Sequence, residues 1–176
     1  AGIQLSNLEE WLGESRAIIR VMPNTPSMVR CGAAGLFANE LVSSEQKASV
    51  EAMFNAVGIS CWVDDEAKID AVTAVSGSGP AYFFLMMEAM QKVGQELGLP
   101  EQVARELTIQ TALGAAQMAS TSEHNTTDLR LQVSSPGGTT QAAIAKFQSL
   151  DVEDTFRQAM EAARNRAREM AAEFGK

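Results

Sequence analysis

Histidine is almost missing from this 176-residue chain: His124 is the only one. That removes most metal centres and leaves little room for a Ser-His-Asp catalyst. Cysteine is equally scarce. Cys31 and Cys61 are too few for a disulfide scaffold or a zinc site, so no metal is expected and a reducing, cytoplasmic setting is the default. Positive charge is in deficit, with 14 Lys and Arg against 22 Asp and Glu and a net charge of −8. A general nucleic-acid surface or an anionic-membrane surface is therefore not expected. No apolar run approaches the ~20 residues of a membrane span. The opening AGIQLSNLEEW lacks the basic-then-apolar grammar of a secretion signal. What is present is a globular composition, 45% apolar and 20% charged, of a size suited to one domain or one domain and part of another.

The first third alternates between the two regular periods. Ser6 with Glu9 reads as a capping box, Leu8, Trp11 and Leu12 give one apolar face, and Gly13 stops the helix. Ala17–Met22 is a nearly continuous apolar run, as in strands covered on both faces in parallel sheets. Pro23-Asn24-Thr25-Pro26 ends it, and Ala34–Ala38 reads as a short strand. Ser43 and Gln46 form another capping box, before Val50, Met53, Phe54 and Val57 at helical spacing. Ile59–Val63 alternates like a strand and closes at Asp64-Asp65-Glu66. This alternation argues for an α/β sheet over residues 1–65, of the open kind found in Rossmann-type domains, with only about three strands and no glycine-rich nucleotide loop. It reads as a sheet joined midway, its upstream half lying outside this chain.

From residue 66 to 176 the pattern is helical. Ser76-Gly77-Ser78-Gly79-Pro80 kinks one long helix, where small residues allow tight packing; without a Walker lysine or a preceding strand it is not a phosphate loop. Phe83-Phe84-Leu85-Met86-Met87 is apolar on every side, the mark of a helix buried all round, and Met86, Met87 and Met90 read as core. Pro100 opens the next helix, whose middle is Ala112, Gly114, Ala115, Ala116 and Ala119. Phe156, Met160, Ala163, Ala167, Met170 and Phe174 make a heptad-like seam on the last helix. So much apolar perimeter predicts an all-α dimerisation domain whose core is shared by two chains, with a self-contained bundle as the alternative.

One segment points to chemistry. Gln132-Val133-Ser134-Ser135-Pro136-Gly137-Gly138-Thr139-Thr140-Gln141 is a Pro-Gly-Gly turn running straight into a helix. Helix starts present unpaired N–H groups and partial positive charge. Gly137 and Gly138 admit a ligand to the backbone, and Ser135, Thr139 and Thr140 add hydroxyls, which together suit a carboxylate or phosphate. The same residues would also serve as a plain helix connector with a threonine cap. Glu66 stands just past a strand end, where α/β sheets expose functional groups, but also where a helix-start acid belongs. His124 reads as solvated, and Cys31 and Cys61, without basic neighbours, as inert thiols.

Three stretches, Val21-Met22-Pro23-Asn24-Thr25-Pro26, Asp70 through Tyr82 and Val133 through Thr140, stand in an order that resembles the pyrroline-5-carboxylate reductase family. The resemblance implies NADPH- or NADH-dependent reduction of 1-pyrroline-5-carboxylate to L-proline, the last step of proline biosynthesis. It also implies a homodimer, with dimers assembling into larger rings. Residue roles follow from it: Thr139 and Thr140 at the substrate, Glu66 as a substrate-contacting acid, and Gln132 and Asn24 beside the cofactor. Ser135, Gly137 and Gly138 join the substrate set through the helix start, and Thr140 is the candidate partner of the ring nitrogen. The family's nucleotide-binding half has no counterpart in this chain, so the fragment alone is expected to be inactive. A hydroxyacid-type dehydrogenase would need a catalytic lysine in a Gly-Gly-x-x-x-Lys setting, which neither Lys68 nor Lys92 has. A non-catalytic helical oligomerisation module is the remaining alternative. NADH and NADPH are not told apart by these residues.

Overall fold

The computed structural model describes residues 1–13 and 15–174. The elements are α1 (Leu5–Leu12), β1 (Ile19–Met22), β2 (Gly32–Ala38), α2 (Ser44–Asn55), β3 (Gly58–Trp62), α3 (Lys68–Val72), α4 (Gly79–Glu96), α5 (Glu101–Thr121), α6 (Thr126–Gln132), α7 (Thr139–Ser149) and α8 (Val152–Phe174). A 3-10 turn covers Thr25–Val29 and a π-helical turn covers Thr73–Gly77. No strand follows β3 among the described residues. The chain divides into two compact units: residues 1–81 together with the chain from Arg157 onward, and Tyr82–Phe156.

In the first unit the sheet order is β1-β2-β3. β2 and β3 are parallel, with Gly32 opposite Gly58 and Leu36 opposite Trp62, and α2 is their crossover. The continuous apolar run at β1 predicts a parallel strand; β1 instead runs antiparallel to β2, Ile19 opposite Ala38 and Met22 opposite Gly35. The reason is the connection. Residues 23–31 hold one 3-10 turn, too little chain for the dozen or more residues that a parallel crossover needs. Leu36 and Ile69 are the largest fully enclosed side chains, and Leu5, Ile18, Ala34, Val42, Ala74 and Ala167 complete this small core.

Two caps show how the local sequence sets these elements. Ser43 and Gln46 form the expected box, with Gln46 N–H on Ser43 Oγ and Ser43 N–H on Gln46 Oε1. The box expected from Ser6 and Glu9 lies two residues earlier, between Gln4 and Asn7. Glu9 is drawn away because its Oε1 accepts from Asn39 Nδ2.

The second unit is a set of helices with almost no interior. Its buried side chains among the described residues are Ala104 and Thr108, set where α5 meets Gly94 of α4; a Cβ on Gly94 would sit 3.2 Å from that of Ala104. The stretch expected to be buried all round is exposed: Phe84 is 64% accessible, and Phe83 and Leu85 are open to a similar degree. Leu97, Leu107, Leu113, Met118 and Phe147 are exposed as well. The expectation of burial is therefore not met among the described residues, because the helices of this unit do not fold over that stretch.

Candidate functional site

The Pro-Gly-Gly turn is built by two short-range bonds. Gly138 N–H donates to the Ser135 carbonyl at 2.9 Å, and Gly137 N–H to Gln141 Oε1 at 2.7 Å. Gly137 has φ +70°, a conformation that side-chain-bearing residues disfavour. Gly138 is the extended cap of α7 and makes no side-chain cap bond. A helix has four orphan N–H groups at its start. Here the amides of Thr139, Thr140 and Gln141 carry no hydrogen bond among the described residues, and the first turn contains no acid. Three N–H groups and the helix dipole therefore face outward at an exposed turn, an arrangement suited to a small anion. A Cβ on Gly138 would lie 3.0 Å from the Ser135 carbonyl oxygen, so glycine keeps this turn tight.

Thr140, half-buried at the second position of α7, has a hydroxyl with no hydrogen bond among the described residues, as does the exposed Ser135. Thr139 is exposed at the first position. Gln132 closes α6, exposed, with a side-chain amide free of hydrogen bonds among the described residues. These residues, with Gly137 and Gly138, all fall within the second unit.

Asn24 and Glu66 belong to the first unit, and both are occupied. Glu66 Oε1 accepts from Arg20 Nη1 and from Leu5 N–H, each at 2.7 Å. Arg20 is 8% exposed and Glu66 25%. A buried guanidinium needs a counter-ion, and Glu66 supplies it while holding the start of α1. Its Oε2 is the atom left for another partner. Asp64, its exposed neighbour, is held below the ordinary carboxylate range by the hydrogen bond and charge of Lys68; Glu66, much less exposed, faces inward. The Arg20 partnership had a sequence signal: one arginine inside the apolar run from Ala17 to Met22 must find an acid once that run is buried. Asn24 is spent at both ends. Its Nδ2 donates to the Ser76 carbonyl at 3.1 Å, and its Oδ1 accepts from Ala33 N–H at 2.9 Å.

His124 is exposed in a polar loop, Cys31 and Cys61 are exposed free thiols, and no group of metal-binding side chains occurs among the described residues. No helix of the described residues is long and apolar enough to cross a membrane.

Comparison with known proteins matches residues 66–170 to the pyrroline-5-carboxylate reductase dimerisation family. The pyrroline-5-carboxylate reductase of Pseudomonas aeruginosa is 54% identical over 175 residues, 99% of this chain and 64% of its own length. The enzyme of the same name from Haemophilus influenzae is 45% identical, over 99% of this chain and 65% of its own. This chain thus spans a little under two thirds of these relatives. Among solved structures, a pyrroline-5-carboxylate reductase from Coxiella burnetii superposes with a TM-score of 0.95 at 48% identity, covering 97% of this chain and 63% of that one. Plasmodium falciparum pyrroline carboxylate reductase, solved with NADP bound, gives 0.87 at 33% identity, over 97% of this chain and 68% of that one.

Proposed function

Because this chain belongs to the pyrroline-5-carboxylate reductase family, we propose that the protein of which it is part reduces 1-pyrroline-5-carboxylate to L-proline, completing proline biosynthesis, with NADPH or NADH as reductant. The observation that carries this reading is the start of α7, where the free amides of Thr139, Thr140 and Gln141 stand beside the Thr140 hydroxyl. The substrate is a small planar ring with one carboxylate, and this turn offers donors for that group. Residues 1–65 form the end of the nucleotide-binding domain and residues 66–176 the dimerisation and substrate domain, a division supported by the family match beginning at residue 66. This chain has no glycine-rich nucleotide loop, so activity is assigned to a protein that also carries one, and the 176 residues alone are expected to be inactive.

A bound nicotinamide supplies a hydride to the imine carbon. The residues here do the rest. The amides at the start of α7 hold the carboxylate, Gly137 and Gly138 let it approach, and Ser135 and Thr139 extend the donor set. Thr140 Oγ1 meets the ring nitrogen, orienting it and steering its proton. Holding the reacting rings in register is worth ~7–11 kcal/mol of barrier. The family resemblance assigns Gln132 and the loop at Asn24 to the cofactor and Glu66 to the substrate, and within its own unit Glu66 keeps Oε2 for such a partner. The exposed free thiols of Cys31 and Cys61 suit a reducing compartment, the cytoplasm. In the full-length enzyme, Thr140→Ala should lower kcat about a hundredfold, the low end for groups that manage a proton, and Thr140→Ser should restore most of it. Steady-state kinetics with both variants decide this, and unchanged rates in Thr140→Ala would remove the hydroxyl from the reaction.

Two copies complete the helical domain in this reading. The support is physical: Phe83, Phe84, Leu85 and Leu113 are exposed, and the second unit lacks a core of its own. Obligate interfaces bury about 2,000–5,000 Å² of such surface. Sedimentation velocity should find a dimer at micromolar concentration, with rings of dimers as the larger assembly. Phe84→Glu should shift the protein toward monomer and aggregate. A well-behaved wild-type monomer would exclude the shared core.

A further inference from the structure

Pro80 leaves a gap in the hydrogen bonding of its own helix. In a regular helix the carbonyl of Ser76 would accept from the amide four residues on, but residue 80 is proline and has no N–H. The chain responds with the π-turn Thr73–Gly77, in which Ser78 N–H reaches back five residues to the Thr73 carbonyl at 2.8 Å. Ala81 N–H, the next amide available, donates to the Ser78 carbonyl instead. The Ser76 carbonyl is satisfied from elsewhere, by Asn24 Nδ2 at 3.1 Å.

Asn24 lies in the loop that leaves the carboxyl end of β1, and its Oδ1 holds Ala33 N–H at the start of β2. One amide therefore joins three pieces of chain: the loop after β1, the first residues of β2 and the π-turn. The fit beside it is close. A Cβ on Gly77 would come within 2.6 Å of Met22 Cε, so the π-turn packs against the Met22 side chain at the end of β1, whose tip would have to swing aside for any larger residue. π-bulges recur at functional sites.

We propose that Asn24 is a positioning residue, a strut that gives the Ser76 carbonyl the donor Pro80 lacks and thereby fixes the loop Pro23–Thr25 as a cofactor-facing wall. The amide does not itself bind the cofactor; it shapes the backbone that does. The loop's role in the reaction rests on the reductase reading above, whereas the strut itself does not.

The test uses the full-length enzyme. Asn24→Asp keeps an oxygen for Ala33 N–H but removes the donor and sets a carboxylate against the Ser76 carbonyl. It should raise KM for the nicotinamide cofactor about tenfold while changing KM for 1-pyrroline-5-carboxylate much less, a split that general loosening of the fold would not produce. Asn24→Ala, which loses both bonds, should in addition speed hydrogen exchange at the Ala33 amide about tenfold. Pro80→Ala restores a helical N–H for the Ser76 carbonyl, so Asn24→Asp should do clearly less harm in that background. An unchanged cofactor KM in Asn24→Asp, or equal damage with and without Pro80→Ala, would overturn the proposal. If the wild-type enzyme failed to reduce the substrate, the reductase reading would fall. The strut would still be judged by Ala33 exchange and by whether the effects of Asn24→Asp and Pro80→Ala on urea unfolding are non-additive.

Discussion

Replacing Gly137 with valine in the full-length enzyme should cut kcat/KM for 1-pyrroline-5-carboxylate about a hundredfold and leave the melting temperature nearly unchanged. Gly137 sits at φ +70°, where a β-branched residue is a steric outlier costing about 1–2 kcal/mol. A Cβ there would meet no atom within 4 Å, so packing gives the protein no reason to unfold. The strain is relieved by rotating the turn, and that rotation moves the amides of Thr139, Thr140 and Gln141. Displacement of a clamp by about 1 Å costs on the order of 10² in rate. KM for the substrate should carry much of the loss, since the carboxylate is held by the displaced groups. Steady-state kinetics and differential scanning calorimetry on the same preparation separate the two effects. A variant within threefold of wild type in kcat/KM would mean that this turn does not grip the substrate.

Gly58→Ala should behave in the opposite way, as a loss of stability ahead of any loss of chemistry. Gly58 opens β3 directly opposite Gly32 of β2. A Cβ on Gly58 would land on the Gly32 carbonyl oxygen and lie 2.5 Å from both the carbonyl carbon and the nitrogen of that residue. The obstructing atoms are backbone, and Gly32 N–H is already fixed to the Val57 carbonyl at 3.0 Å, so neither strand can yield without giving up part of the ladder. A loss of about 3 kcal/mol, the upper end for an overpacked site, is expected. It should appear as a lower urea midpoint at an unchanged slope. A midpoint within error of wild type would show that the two strands separate more easily than their register suggests.

The contrast between these glycines shows what could be read from the sequence. Gly137 stands in a recognisable Pro-Gly-Gly-Thr-Thr turn, and the helix start it prepares lies where expected, because capping and turn chemistry act over four or five residues. Gly58 reads only as a helix stop; its closeness to Gly32 depends on a pairing between distant residues. The same divide runs through the other elements. The box at Ser43 and Gln46 is local and holds. The direction of β1 is not local: its apolar run suggests a parallel strand, and the short link to β2 imposes the antiparallel one. Glu66 was visible as an acid at a strand end, but its partner Arg20 required the fold. The amide of Asn24 is turned inward by Pro80, a residue far along the chain that breaks a helix. Phe83 to Met87 read as a buried stretch, yet Phe83 to Met86 lie exposed among the described residues, because burial depends on what packs there and not on composition alone.

The last helix has a consequence for how the molecule is made. Arg168 of α8 reaches Asp70 of α3 at 3.1 Å, and Gly2 is packed so closely on Met170 and Phe174 that even a methyl group there would crowd them. The sheet-bearing unit is therefore finished by residues that leave the ribosome after all the intervening helices. Until then the segment around Gly2 lacks the Met170 and Phe174 side chains that pack on it, and Asp70 lacks its arginine. Trimming or tagging the far end of α8 should accordingly loosen the segment around Gly2 first.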